Sequence, residues 1–153
     1  MKFRIVGINP INYSLDIPDD FVYSKDTDIV SAENRTTVDA NGMENTLKIT
    51  VYFTLYFAKR NDPNKKTKLF HVSVQNDYVI SDLKDYIIIE GDDEKLQSEL
   101  LNYFDALSIN HVRGIQSVYT KNTPIARFLI PPKTKKNDKS NEQLQNNETS
   151  SPA

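Results

Sequence analysis

The sequence predicts an α+β fold in which a four-stranded antiparallel sheet carries one long amphipathic helix on one face. Two observations favour this fold. Several segments alternate between apolar and polar residues, as strands with one buried face do, and a later segment repeats its apolar residues at three- and four-residue spacing. With 153 residues, of which 38% are hydrophobic, the chain is long enough for one domain with a hydrophobic core.

The clearest strand is predicted at residues 47–58, where apolar residues alternate with polar or small ones without an error. A polar stretch at residues 61–66 has the composition of a turn, and residues 70–75 alternate again. Together these segments predict a long hairpin with one buried and one wetted face.

Two further strands are predicted upstream of this hairpin. Residues 3–17 alternate around Pro10, which indicates an edge strand with a bulge or kink, because proline cannot donate a hydrogen bond to a neighbouring strand. Residues 29–39 form a more polar strand candidate that is closed by the turn dipeptide Asn41-Gly42.

A long helix is predicted from about Asp92 to Asn122, with carboxylates near its start to cap free amides and Pro124 just beyond its end. Its apolar stripe comprises Leu96, Leu100, Phe104, Leu107, Ile115 and Tyr119, and neighbouring apolar residues widen it. After the helix, an apolar segment at residues 125–130 is expected to cross the core in an extended form. Residues 1–132 are predicted to form the folded domain and residues 133–153 a disordered polar tail, which has too few apolar residues to offset its ordering entropy.

Composition argues against most catalytic and metal-dependent functions. The chain has no cysteine, its four glycines form no phosphate-binding loop, and neither His71 nor His111 has a metal-ligand neighbour at usable spacing. We therefore expect no metal, no cofactor and no enzymatic activity. A net charge of -2 gives no overall attraction to nucleic acid, and the absence of a signal peptide or a long apolar run predicts a cytoplasmic protein without membrane insertion.

The predicted helix has a wider apolar stripe than one contact with one sheet needs. Self-assembly would bury the surplus, and Leu107, His111 and Ile115 lie on the helix face expected to form that interface. Three classes of function remain at this stage: a protein that holds another polypeptide, a small-ligand-binding or hydrolytic enzyme in a sheet-and-helix cavity, and a structural adaptor.

Three groups of short motifs occur over residues 3–132. In the first strand they are Phe3, Ile5, Ile8, Ser14, Leu15, Asp16 and Pro18. In the fourth strand they are Val74, Gln75 and Asn76. In and after the helix they are Ile109, Asn110, His111, Val112, Arg113, Ser117, Thr123, Phe128, Leu129, Ile130 and Pro132. In their order and spacing these motifs resemble the SecB family of export chaperones.

The resemblance implies a homotetramer, assembled as a dimer of dimers, that binds unfolded polypeptide clients without ATP and passes them to the SecA motor. It places a motor-docking face at Asn12, Ser14, Asp16 and Ser73. Asn12 and Ser73 stand where other members can carry acids, and Asn110 stands at the position of a proline of the family. A SecB-like chaperone dedicated to one client, such as an antitoxin, is therefore an alternative to an export chaperone.

A client groove on the helix side of the sheet is expected to involve four apolar or aromatic residues, which offer contact area at low entropic cost. These residues are Ile29, Phe70, Val72 and Tyr78.

Overall fold

The computed structural model describes residues 1–133, which form a sheet layer and a helix layer. The elements are β1 (Phe3–Leu15), β2 (Asp28–Asn41), β3 (Thr46–Lys59), β4 (Asp62–Ile80), a 3-10 turn (Leu83–Tyr86), β5 (Ile87–Glu90), β6 (Asp93–Leu96) and α1 (Ser98–Tyr119). The first four strands make one antiparallel sheet, which confirms the predicted fold class. The predicted polar tail lies outside the described residues except for Lys133.

The strand order in the main sheet is β1-β4-β3-β2. Strands β2, β3 and β4 follow one another as hairpins, and β1 pairs with the far side of β4, so β1 and β2 are the two edges. The pairing of β1 shifts register between Ile5 and Gly7 and again between Pro10 and Asn12. The prediction of an irregular edge strand around Pro10 is therefore confirmed.

The core lies between the sheet and α1. Alternate residues of β3 point to the helix side and are almost completely buried: Leu47, Ile49, Val51, Phe53 and Leu55. Their partners on β4 include Phe70, Val72, Val74 and Tyr78, which are equally buried. From the helix, Phe104 and Val112 complete the layer. Each such side chain contributes about 1.5–3 kcal/mol on full burial, so this face holds the fold together.

The helix begins later than predicted, at Ser98 instead of Asp92. Residues 87–96 form the small hairpin β5–β6, in which Ile87 pairs with Leu96. Gly91 supplies the left-handed backbone conformation of the turn, with a φ of 67°. The carboxylates near Asp92 thus belong to a hairpin turn, and their interpretation as helix caps was wrong.

After α1 the chain turns and runs back along the helix as a segment that we call the strap (residues 125–133). Ile125, Phe128 and Ile130 of the strap are buried. The buried Gln116 side chain of α1 holds its backbone: Gln116 Nε2 donates to the Phe128 carbonyl oxygen and Ile130 N–H donates to Gln116 Oε1, both at 2.8 Å. Across residues 1–133, no helix is long and apolar enough to cross a membrane.

Candidate polypeptide-binding surfaces

The structure does not bring the four predicted groove residues together as one accessible surface. Phe70, Val72 and Tyr78 are core residues beneath α1, and Ile29 lies half-buried on the opposite face of the sheet. Tyr78 hydrogen-bonds Ser108 of α1 at 2.8 Å. Burial raises the pKa of Tyr78, and the Ser108 contact opposes that shift in part. Accessible surfaces for a polypeptide lie elsewhere.

Within residues 1–133, strand β2 has one edge that is unpaired along its whole length. Within the described chain β2 pairs only with β3, and the register runs without interruption from Asp28 opposite Lys59 to Asn41 opposite Thr46. The strand contains no proline. Its outer edge therefore offers a regular row of backbone N–H and C=O groups, which is the template that an added strand requires.

Exposed apolar side chains gather at the far end of β2. Val38 pairs with the buried Ile49, so it lies on the helix side of the sheet, and it is 42% exposed. Met43 in the following turn is 95% exposed.

The hairpin β5–β6 lies beside the β2–β3 turn and carries two more exposed apolar residues. Ile88 is exposed and Ile89 is 71% exposed. A β-carbon at Gly42 would lie 2.9 Å from Ile87 Cδ1, so the β2–β3 turn packs directly against β5. We call Val38, Met43, Ile88 and Ile89 the β2 surface. Sequence reasoning missed it because residues 87–90 were assigned to no element and β6 was assigned to the helix.

A second apolar region lies where α1 passes β1. Phe3 packs edge-on against Tyr103 and Phe104, with ring centroids 5.8 and 5.1 Å apart. Further along, Tyr13 stacks on Tyr119 with centroids 4.4 Å apart and rings 15° from parallel. These contacts fix the helix beside β1 at two separated points.

Between these two points the helix-side residues Ile5 and Ile8 of β1 remain exposed. On α1, Leu107 is half-buried, Val118 is exposed, and a β-carbon at Gly114 would meet nothing within 4 Å. We call Ile5, Ile8, Leu107, Gly114 and Val118 the β1–α1 seam. Because β1 is bulged, this seam offers side-chain area and not a continuous backbone edge.

The three helix residues predicted at an oligomer interface are half-buried in the isolated chain. Leu107 and Ile115 pack against the core, and His111 hydrogen-bonds Asn76 with Nδ1 2.7 Å from Oδ1. Since Asn76 Nδ2 donates to the Ile49 carbonyl, its Oδ1 accepts, and His111 must carry a proton on Nδ1. Burial lowers the pKa of His111. The hydrogen bond from His111 to Asn76 joins α1 to β4 and so helps to hold the helix against the sheet.

The predicted docking residues line up at one end of the outer sheet face. Asn12 lies opposite Ser73 and Ser14 opposite His71, while Asp16 follows the end of β1 and is exposed. Ser73 is buried among its neighbours. The structure thus brings these positions together, but Asp16 is the single charged group among the four predicted ones.

Within residues 1–133, Ser14 and His71 lie opposite each other on this face but form no hydrogen bond with each other. His71 Nδ1 bonds Thr54 Oγ1 at 2.8 Å, and burial, followed by the Lys68 charge, lowers the pKa of His71. Ser14 Oγ is buried and has no hydrogen-bond partner within residues 1–133. Nor do the described residues include a group of three or more histidines and acids arranged to hold a metal ion.

A four-stranded antiparallel sheet with one long helix on one face is a SecB-like fold. A solved structure with this fold is the SecB-like chaperone Rv1957 of Mycobacterium tuberculosis, in complex with a ChAD peptide from the Rv1956 HigA1 antitoxin. The two chains are 11% identical with a TM-score of 0.57, over 86% of this chain and 90% of that chain. Likeness at this identity establishes the fold. No family model matches the chain, and no curated protein matches its sequence.

Proposed function

We propose that the protein is an ATP-independent chaperone that binds unfolded or extended polypeptides. The observation that carries the proposal is the regular edge of β2, with which no other described strand pairs, beside the apolar β2 surface. An extended client adds its backbone to β2 and places alternate side chains against this surface. The fold, shared with a chaperone bound to a peptide, supports the same function.

This mode of binding explains how one site can hold varied sequences. Backbone hydrogen bonds are available from any extended segment without proline, and each contributes about 0.5–1.5 kcal/mol net. Burial of apolar side chains adds about 25 cal/mol for each Å². Folded proteins offer few free extended segments, so the site selects for unfolded chains.

We propose further that the chain assembles as a homotetramer, a dimer of dimers, and that the β1–α1 seam is one of its interfaces. The exposed Ile5, Ile8 and Val118 would become buried there, which removes apolar area that a monomer leaves in water. Self-assembly through β1 leaves the β2 edge open for the client. A cytoplasmic location belongs to the same proposal, and the lack of cysteine supports it.

The client that we favour is a dedicated partner such as an antitoxin. The structural neighbour holds an antitoxin peptide, and the outer face of this chain has hydroxyl and amide groups at three of the four predicted docking positions. Delivery to the SecA motor is the second candidate, because Asp16 is retained and exposed. Asp16→Arg should weaken motor binding without changing client protection; unchanged motor affinity would argue against export.

The test of client binding compares Val38→Asp with Thr37→Asp. Both place a carboxylate on β2, but residue 37 lies on the outer face, opposite Thr50, and residue 38 on the helix side. Val38→Asp should weaken binding of a reduced, permanently unfolded protein by about tenfold, a loss of about 1.4 kcal/mol. Fluorescence anisotropy gives the affinity, and suppression of client aggregation gives the activity. Equal affinity for the two variants, or binding of folded clients as well, would refute the proposed mode.

A further inference from the structure

Asp105 of α1 is a buried carboxylate with one unused oxygen. The residue is 7% exposed. Its Oδ2 pairs with Lys133 Nζ, the last described residue of the strap. Its Oδ1 is buried and has no hydrogen-bond partner among the described residues. The oxygens of a buried carboxylate normally both have hydrogen-bond partners, whereas only one oxygen of Asp105 has one here.

Asp105 lies on the side of α1 that faces away from β1. It is two residues from Tyr103, which contacts Phe3 of β1, and two residues rotate the helix by about 200°. The strap runs along this opposite side: Phe128 packs against Tyr23, which leads into β2, with ring centroids 5.0 Å apart. The carboxylate thus lies on the strap side of α1, away from β1 and toward β2.

The two oxygens of the Asp105 carboxylate suit a guanidinium better than an ammonium group. The Lys133 ammonium is a point charge and bonds one carboxylate oxygen. An arginine presents two parallel N–H donors that match both oxygens of a carboxylate at once. The Lys133 side chain is 34% exposed and the Asp105 side chain 10%, so an incoming side chain would reach the carboxylate by displacing Lys133.

We propose that Asp105 is a specificity site for an arginine side chain of the bound polypeptide, and that Lys133 occupies it when no client is present. This inference rests on the proposed function. It adds a charged contact to a binding mode that otherwise uses only backbone hydrogen bonds and the burial of apolar side chains. A client with an arginine displaces the Lys133 ammonium and satisfies the free Oδ1. The buried carboxylate is therefore paired with a cation both before and after the client binds.

The experiment uses the full chain and two fluorescent peptides. Both alternate leucine and serine, and they differ only in a central residue, which is arginine in one and glutamine in the other. In the wild-type protein the arginine peptide should bind several-fold more tightly. Lys133→Gln removes the internal competitor and should widen the preference to about tenfold, which corresponds to about 1.4 kcal/mol. Lys133→Arg supplies an internal guanidinium that can bond both carboxylate oxygens. The preference for the arginine peptide should therefore decrease.

Two variants separate a specific site from general attraction to an acidic protein. Asp105→Asn should abolish the preference and leave affinity for the glutamine peptide unchanged. Glu99→Gln removes an exposed carboxylate from the same helix and should preserve the preference. Equal binding of both peptides to the wild type and to Lys133→Gln overturns the inference and leaves the proposed function intact. Binding of neither peptide overturns both. If Asp105→Asn is unfolded, the two Lys133 variants provide the test, because Lys133→Gln should increase the preference for the arginine peptide and Lys133→Arg should decrease it.

Discussion

Replacement of Gln116 by leucine should destabilise the protein strongly, although it puts an apolar side chain of similar length into a buried position. The native amide makes two hydrogen bonds of 2.8 Å to the strap and is completely buried. Leucine leaves the Phe128 carbonyl and the Ile130 N–H without partners. Each orphaned group costs about 1–3 kcal/mol, so the loss should be about 2–6 kcal/mol. That is a large fraction of the stability of an ordinary domain.

Urea unfolding monitored by circular dichroism measures this loss. Ser117→Ala is the matched control, because Ser117 is the next residue, is exposed and bonds only the Gly114 carbonyl in its own helix. It should change the free energy of unfolding by less than about 0.5 kcal/mol.

Gln116→Glu tests the same two bonds through pH. A protonated glutamic acid both accepts from Ile130 N–H and donates to the Phe128 carbonyl, whereas the carboxylate only accepts. Burial and the facing carbonyl should raise the folded pKa of this residue above its ordinary value of about 4.3. The variant should therefore lose stability relative to wild type as pH rises from about 4 through the raised pKa, and recover it on acidification.

The reasoning about Gln116 fails on either of two results. One is a Gln116→Leu protein whose free energy of unfolding matches that of Ser117→Ala. The other is a Gln116→Glu protein whose stability difference from wild type does not change with pH.

Two further changes test the seam and an ion pair. Gly114→Ala should raise the free energy of unfolding of dilute protein by up to about 1 kcal/mol, since the new methyl group meets open space. If two helices meet at Gly114 in the assembly, light scattering should show weaker self-association of this variant. Unchanged self-association would argue against a helix contact at this position. Asp28 is buried, which would raise its pKa, but bonds from Lys59, the Ser24 N–H and Thr27 outweigh burial and lower it. The pair therefore stabilises the fold above pH ~4, and this stabilisation is lost as pH falls through the lowered pKa. Asp28→Asn should lower the free energy of unfolding at neutral pH. In an acid titration, the free energy of unfolding of this variant should also fall less steeply with decreasing pH than that of the wild type.

The strands were predictable because their pattern is local. Alternation along residues 47–58 matches the buried and exposed faces of β3, and Pro10 correctly placed β1 at an edge. The start of the helix was not predictable from capping chemistry alone, because carboxylates favour turns as well as helix caps. The three β-branched residues 87–89 before Gly91 were the available signal for a hairpin.

The candidate site was less accessible from sequence than the fold. Apolar strand residues such as Phe70 and Val72 attract attention as client contacts, yet the helix covers them. The exposed edge of β2 follows from strand order, which pairing across the whole sheet decides. The burial of Asp105 and Gln116 did have a signal in the sequence, since each is a polar residue on the helix face that carries Ile109 and Val112. Buried polar groups require hydrogen-bond partners.

The connection of β1 to β4 has a consequence for the order of folding. Strands β2, β3 and β4 pair with their neighbours in sequence, so two hairpins can close early with short loops. Strand β1 must wait for β4, because Phe3 pairs with Ile80. Closing that long loop carries a larger entropy loss, which places β1 docking late. During synthesis the amino-terminal strand therefore stays unpaired until the fourth strand has left the ribosome, and the edge that carries half of the β1–α1 seam is the last part of the sheet to form.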